Sequence, residues 1–121
     1  MSFLPQIDNL VHAMANVPQR VYRLPLPQGI KFNVLQPGDK RHPHAERIKV
    51  FKGSPETGPN FSIMLRDFRV VGDVFLNSSE LKMIVEHVKK YQHAYLKMWY
   101  DDGMDIDDLR TEMDAIDRKE P

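Results

Sequence analysis

The chain has 121 residues, with 17 Lys plus Arg balancing 17 Asp plus Glu and no cysteine. That composition excludes disulfides, thiolate metal sites and cysteine nucleophiles together, and it fits a reducing, cytoplasmic setting. Leu, Ile, Val and Phe supply 33 of the 121 residues, above the ~20 % under which a chain is expected to stay disordered, so one domain spanning 1–121 with one modest core is expected.

Residues 1–16 have no basic leader and carry Asp8, which argues against a signal peptide. No run reaches the ~18 apolar residues of a membrane span. Ile7, Leu10, Val11 and Met14 fall at i, i+3, i+4 and i+7, which predicts a short helix over 5–16, ended by Pro18. Residues 20–24 read as a short strand. Pro25-Leu26-Pro27-Gln28-Gly29 is turn chemistry.

Ile30, Phe32 and Val34 alternate with Lys31 and Asn33, the period of a half-buried strand. Gln36 to His44 is a loop, and Ile48 and Val50 then alternate with Arg47 and Lys49. After a second loop from Gly53 to Asn60, Phe61, Ile63 and Leu65 make a further strand. Val70 to Leu76 makes a fifth, weakened by Gly72. Such short connections favour an antiparallel meander.

Asn77-Ser78-Ser79-Glu80 is a capping box. Leu81, Ile84, Val85, Val88, Tyr91, Tyr95, Met98 and Trp99 follow at steps of three and four, so one long helix is predicted over 78–100, with Gly103 as its left-handed cap. Ile106, Leu109, Met113 and Ile116 give a last short helix capped near Asp105. At about twelve residues it is marginal alone and must dock on this body or on a partner.

The zero net charge is divided along the chain. Residues 1–100 hold 14 basic and 8 acidic residues, and residues 101–121 hold 3 basic and 9 acidic, so a body of +6 ends in a tail of −6. Charge asymmetry of this kind signals a partner or a solvated helix face. Asp101, Asp102, Asp105, Asp107 and Asp108 do not fit a calcium loop, because Gly103 comes too early for the sixth position. They read first as acids favoured at a helix N-terminus, and second as an acidic docking or nucleic-acid-mimicking surface.

His42 and His44, two residues apart before a strand, are the sole candidate acid–base pair. A metal site wants more ligands than they supply, and Lys40, Arg41 and Arg47 repel a cation, so no metal and no cofactor is expected. His87 and His93 are six apart, which is not the i, i+4 spacing of a helical metal site. If the alternating apolar residues face the core, the opposite sheet face carries Lys31, Arg47, Lys49 and Arg66, a candidate phosphate-binding face, with Phe51 as the aromatic available for stacking. No phosphate loop, nucleophile elbow, dinucleotide fingerprint or His-Glu-x-x-His is present.

Four pieces occur in a familiar order: Gly29-Ile30-x-Phe32, Arg41-His42-Pro43-His44, the pair of strands around Phe61 to Leu76, and the helix from Leu81 to Trp99. In this order the chain resembles a small bacterial domain family of unknown function often linked to toxin–antitoxin loci. The likeness covers Gly29 to Asp101, about 73 of the 121 residues, and departs at the histidine stretch, where a proline and the histidine spacing are changed. It implies an α+β fold with one helix on a small antiparallel sheet, and no reaction.

The expected fold is α+β: an antiparallel sheet of four or five strands packed by one long helix, with short helices at both ends. The expected function is a small non-enzymatic macromolecule-binding module with a protein partner, of a size that suits a host-directed inhibitor or accessory protein of a phage or mobile element. The expected partner-binding residues are Asp105, Ile106, Asp108, Leu109, Glu112, Met113 and Ile116. The alternative is a toxin-like protein that binds or cleaves RNA through Lys31, Arg47, Lys49 and Arg66, with His42 and His44 as its catalytic pair. A homodimer in which the acidic helix of one copy covers the basic face of another is a third arrangement.

Overall fold

A computed structural model describes residues 14–35, 46–53, 58–101 and 104–119. Its elements are β1 (Met14–Val17), α1 (Gln19–Tyr22), β2 (Ile30–Leu35), β3 (Arg47–Lys52), β4 (Asn60–Met64), β5 (Val70–Gly72), α2 (Ser78–Lys90), α3 (Gln92–Tyr100) and α4 (Ile106–Lys119). The strands form one antiparallel sheet in the order β1-β2-β3-β4-β5, so the fold is α+β with the expected meander.

The period of two in the strands is realised as burial. Ile30, Phe32 and Val34 of β2, Ile48 and Val50 of β3, and Phe61 and Ile63 of β4 are all buried in one cluster. The register pairs Phe32 with Val50 and Val50 with Phe61, so these side chains share one face. Onto that face α2 brings Ile84, His87 and Val88, α3 brings Ala94, Tyr95, Met98 and Trp99, and α4 brings Leu109 and Met113.

Two sequence expectations at the N-terminal end are corrected. Residues 14–16, predicted as the end of a helix, lie in β1, where Met14 pairs with Leu35 and Val17 with Phe32. Residues 1–13 lie outside the described residues. Residues 20–24, predicted as a strand, begin with the helical turn α1. Pro18 O accepts from Val21 N at 2.8 Å, and Arg23 ends the turn in the left-handed region at φ 57°. The turn buries the adjacent side chains Val21 and Tyr22 together, which a strand would have sent to opposite faces. Tyr22 stacks on Phe32 with centroids 4.2 Å apart, an arrangement worth about 0.5–1.5 kcal/mol beyond its burial.

The capping box forms as read. Asn77 Oδ1 accepts from Glu80 N at 2.8 Å, and Glu80 Oε1 accepts from Asn77 N at 3.0 Å. The single helix over 78–100 is corrected to two, because Tyr91 leaves helical geometry at φ −105°, ψ 19°. At this break the Tyr91 ring packs 5.0 Å from His87 and its hydroxyl reaches Asp117 of α4. The fifth strand is only Val70–Gly72. Gly72 sits at φ +110°, and a Cβ there would come 3.2 Å from Phe61 Cα, so glycine is required where β5 closes on β4.

Candidate functional site

The acidic tail docks in cis. α4 starts on a reciprocal cap in which Asp105 Oδ1 accepts from Asp108 N at 2.9 Å and Asp108 Oδ2 accepts from Asp105 N at 3.0 Å. Of its apolar stripe, Leu109 and Met113 are fully buried, and Ile106 and Ile116 pack half-buried against the same core. Glu112 pairs with Lys97 at 2.8 Å. Asp114 and Asp117 pair with Arg23 at 2.7 and 3.3 Å, and Lys90 reaches Asp117 at 3.2 Å. The stripe named as partner-binding is therefore covered by this chain's own body. Asp105 and Asp108 lie exposed at the start of α4, turned inward on each other as caps.

Among the basic residues of the candidate phosphate-binding face, the structure brings three to the side of the sheet opposite α2, α3 and α4, where Asn33 and Phe51 are buried, and separates the fourth. Lys31 pairs in register with Phe51, and Asn33 with Lys49, so Lys31 and Lys49 are diagonal neighbours, roughly 7–8 Å apart at the backbone. Arg47, opposite Met64, has the same parity as Lys49 and lies two residues before it. Lys31 is exposed and Lys49 half-buried. Among the described residues, no carboxylate forms an ion pair with either lysine. Lys31 also borders a groove of about 410 Å³ with Asn16, Gln19 and Tyr22. Phe51, the expected stacking aromatic, is only 1 % exposed, so it offers no ring to a base.

Arg66 belongs to another cluster. Its guanidinium donates to Glu46 Oε2 from Nε at 3.2 Å and from Nη2 at 2.9 Å, and the Tyr100 hydroxyl donates to the same oxygen. The Glu46 side chain is completely buried while Arg66 remains 59 % exposed, so the arginine caps a carboxylate from outside. Burial pushes the Glu46 carboxyl up, but the hydrogen bonds from Arg66 and Tyr100 outweigh it and hold the group below its ordinary value. Sequence reading missed this acid. The available signal was its parity with the inward-facing Ile48 and Val50.

His87 is a core residue. Its Nε2 lies 2.7 Å from the Tyr95 hydroxyl, and the rings of Tyr22, Phe32 and Tyr91 surround it. Burial, followed by the Lys90 cation and opposed by Asp117, lowers its pKa to about 4, so it is neutral at pH 7 and occupies a packing position. His93 is exposed. His42, His44 and Gly103 lie outside the described residues. Among the described residues, no group of three or more His, Asp or Glu is placed to hold a metal ion, and no helix is long and apolar enough to cross a membrane.

Comparison with known protein families, with curated proteins and with solved structures returns no match.

Proposed function

We propose that this chain is a small non-enzymatic module that acts by contact with an acidic protein surface, through Lys31 and Lys49 on the sheet face opposite α2, α3 and α4. One observation carries the reading: Lys31 and Lys49 stand as diagonal neighbours on that face, with no ion-pair partner among the described residues. On the helix side Asp114 and Asp117 pair with Arg23, Asp117 also with Lys90, and Glu112 with Lys97, so these three acids are held away from the two lysines. Cations arranged on a rigid strand surface favour encounter with an anionic partner and set its orientation. The burial of Phe51 favours a protein surface over RNA, since base readout from single strands uses exposed rings. Occupying a partner's acidic patch needs no reacting group, which suits an inhibitor or accessory protein.

The test compares the intact chain with the double variant Lys31→Glu/Lys49→Glu in affinity capture from native lysate, with and without nuclease, read by mass spectrometry. The reading expects a protein partner that survives nuclease, weakens as salt rises and is lost from the variant. Equal capture by both chains would reject the face. Loss of all captured material on nuclease treatment would move the assignment to nucleic acid, where affinity falls with salt through counterion release.

A further inference from the structure

The sheet ends in an edge whose hydrogen-bonding groups can be assigned residue by residue. Leu65 N donates to Glu46 O at 2.9 Å and Lys52 N to Pro59 O at 3.1 Å, so the odd-numbered residues of β4 bond to β3. The even-numbered residues therefore bond to β5, as Met64 N does to Arg69 O at 2.9 Å. Val71, opposite Ser62, thus directs its N–H and C=O inward. By the alternation of an antiparallel ladder, Val70 and Gly72 direct theirs outward. Among the described residues, no element pairs with this outer edge.

The edge carries complementary charges about its own centre. Val71, the middle residue of β5, is 46 % exposed. Arg69 and Asp73 lie two residues to either side, both exposed, and among the described residues neither side chain has an ion-pair partner. An exposed edge with free backbone groups is a pairing surface, and a two-fold pairing must be self-complementary.

We propose that β5 pairs with β5 of a second copy of this chain, antiparallel and centred on Val71, to join the two sheets across a two-fold axis. In this register Val70 of each copy faces Gly72 of the other, and these are the residues whose N–H and C=O point outward. Val71 meets Val71 in the closer, non-hydrogen-bonded position. Arg69 of each copy faces Asp73 of the other, giving two cross-strand opposite-charge pairs. Moving the register by two residues would place Arg69 opposite Val71 or Phe75 and leave the charges unmatched. The strand is only three residues long, so the dimer is weak and depends on protein concentration.

The experiment is solution mass by sedimentation or light scattering over a concentration series, for the intact chain and for Arg69→Asp, Asp73→Arg and the double variant. The intact chain should rise from 14.1 kDa toward twice that value. Each single variant sets like charges opposite each other and should stay at the monomer mass. The double variant should regain the dimer, and an equimolar mixture of the two single variants should form a heterodimer. A constant monomer mass for the intact chain overturns the proposal. So does association of either single variant at the concentration that serves the intact chain, or failure of the mixture to associate.

Discussion

The Tyr91 hydroxyl donates to Asp117 Oδ1 at 2.6 Å, which ties the break between α2 and α3 to the last turn of α4. Lys90 and Arg23 share the same carboxylate. The positive body and the negative tail thus meet within one molecule, and Glu112, Asp114 and Asp117 of the tail help to hold their own helix down. Tyr91→Phe removes one hydrogen bond to a charged acceptor while leaving the ring in place. Such bonds contribute about 1.5–3 kcal/mol, and the part-exposed Asp117 keeps its two cations, so a loss of about 1–2 kcal/mol is expected. It should appear as a lower urea midpoint with an unchanged slope; an unchanged midpoint would mean that the bond does not hold α4.

The docking of α4 rests on Leu109 and Met113 more than on its ion pairs. Exposed pairs contribute little, whereas truncating a fully buried Leu leaves a cavity. Leu109→Ala should cost about 2–5 kcal/mol. Arg110→Ala, at an exposed position of the same helix, should be near neutral. If both variants unfold at the same urea concentration as the parent, α4 does not belong to the core.

Stability should rise with pH between about 4 and 6.5 on account of His87. Its folded pKa of about 4 lies below the ordinary 6.5, so the unfolded chain binds more protons in that window. The stabilisation is complete above 6.5 and is lost as pH falls through the folded value. At ~1.4 kcal/mol per pKa unit, the effect is on the order of 3 kcal/mol. Asp117, held below its ordinary value first by the Tyr91 hydroxyl and then by Lys90 and Arg23, adds a further loss at more acid pH with the same sign. Urea midpoints from pH 4 to 7 should slope upward, and His87→Gln should flatten that slope. A variant with the parent's slope would remove His87 as the cause.

Arg66→Ala should destabilise the fold more than the double variant Arg66→Ala/Glu46→Gln. Taking away the arginine leaves a buried carboxylate without its cation, which costs more than the pair is worth. The amide of the double variant carries no charge to strand. A double-mutant cycle on unfolding free energies measures the coupling directly, and additive effects would show that Glu46 does not depend on Arg66.

Local chemistry carried much of the fold into the sequence. The Asn77–Glu80 box, the alternation from Ile30 to Val34 and from Phe61 to Leu65, and the stripe of α4 each rest on contacts within a few residues or on burial of one face. They could be read without knowing what packs where. At Met14–Asn16 the helical pattern gave way to strand, because pairing with the free side of β2 supplied backbone partners that no local preference encodes. Likewise Tyr91 fits a helical stripe, and its departure from helical geometry coincides with contacts to His87 and Asp117, which come from other turns and another helix.

Of the candidate surface, the sequence by itself determined which residues alternate outward on the strands, and hence placed Lys31, Arg47 and Lys49 on one face. It also determined that a −6 tail follows a +6 body. Only the tertiary structure decided where those charges go. Arg66 turned to Glu46, Asp114 and Asp117 turned to Arg23, and Phe51 was buried. The reason is that ion pairing and burial depend on approach between distant segments, such as Arg23 and Asp114 at 2.7 Å, and periodicity along the chain contains no information about that distance.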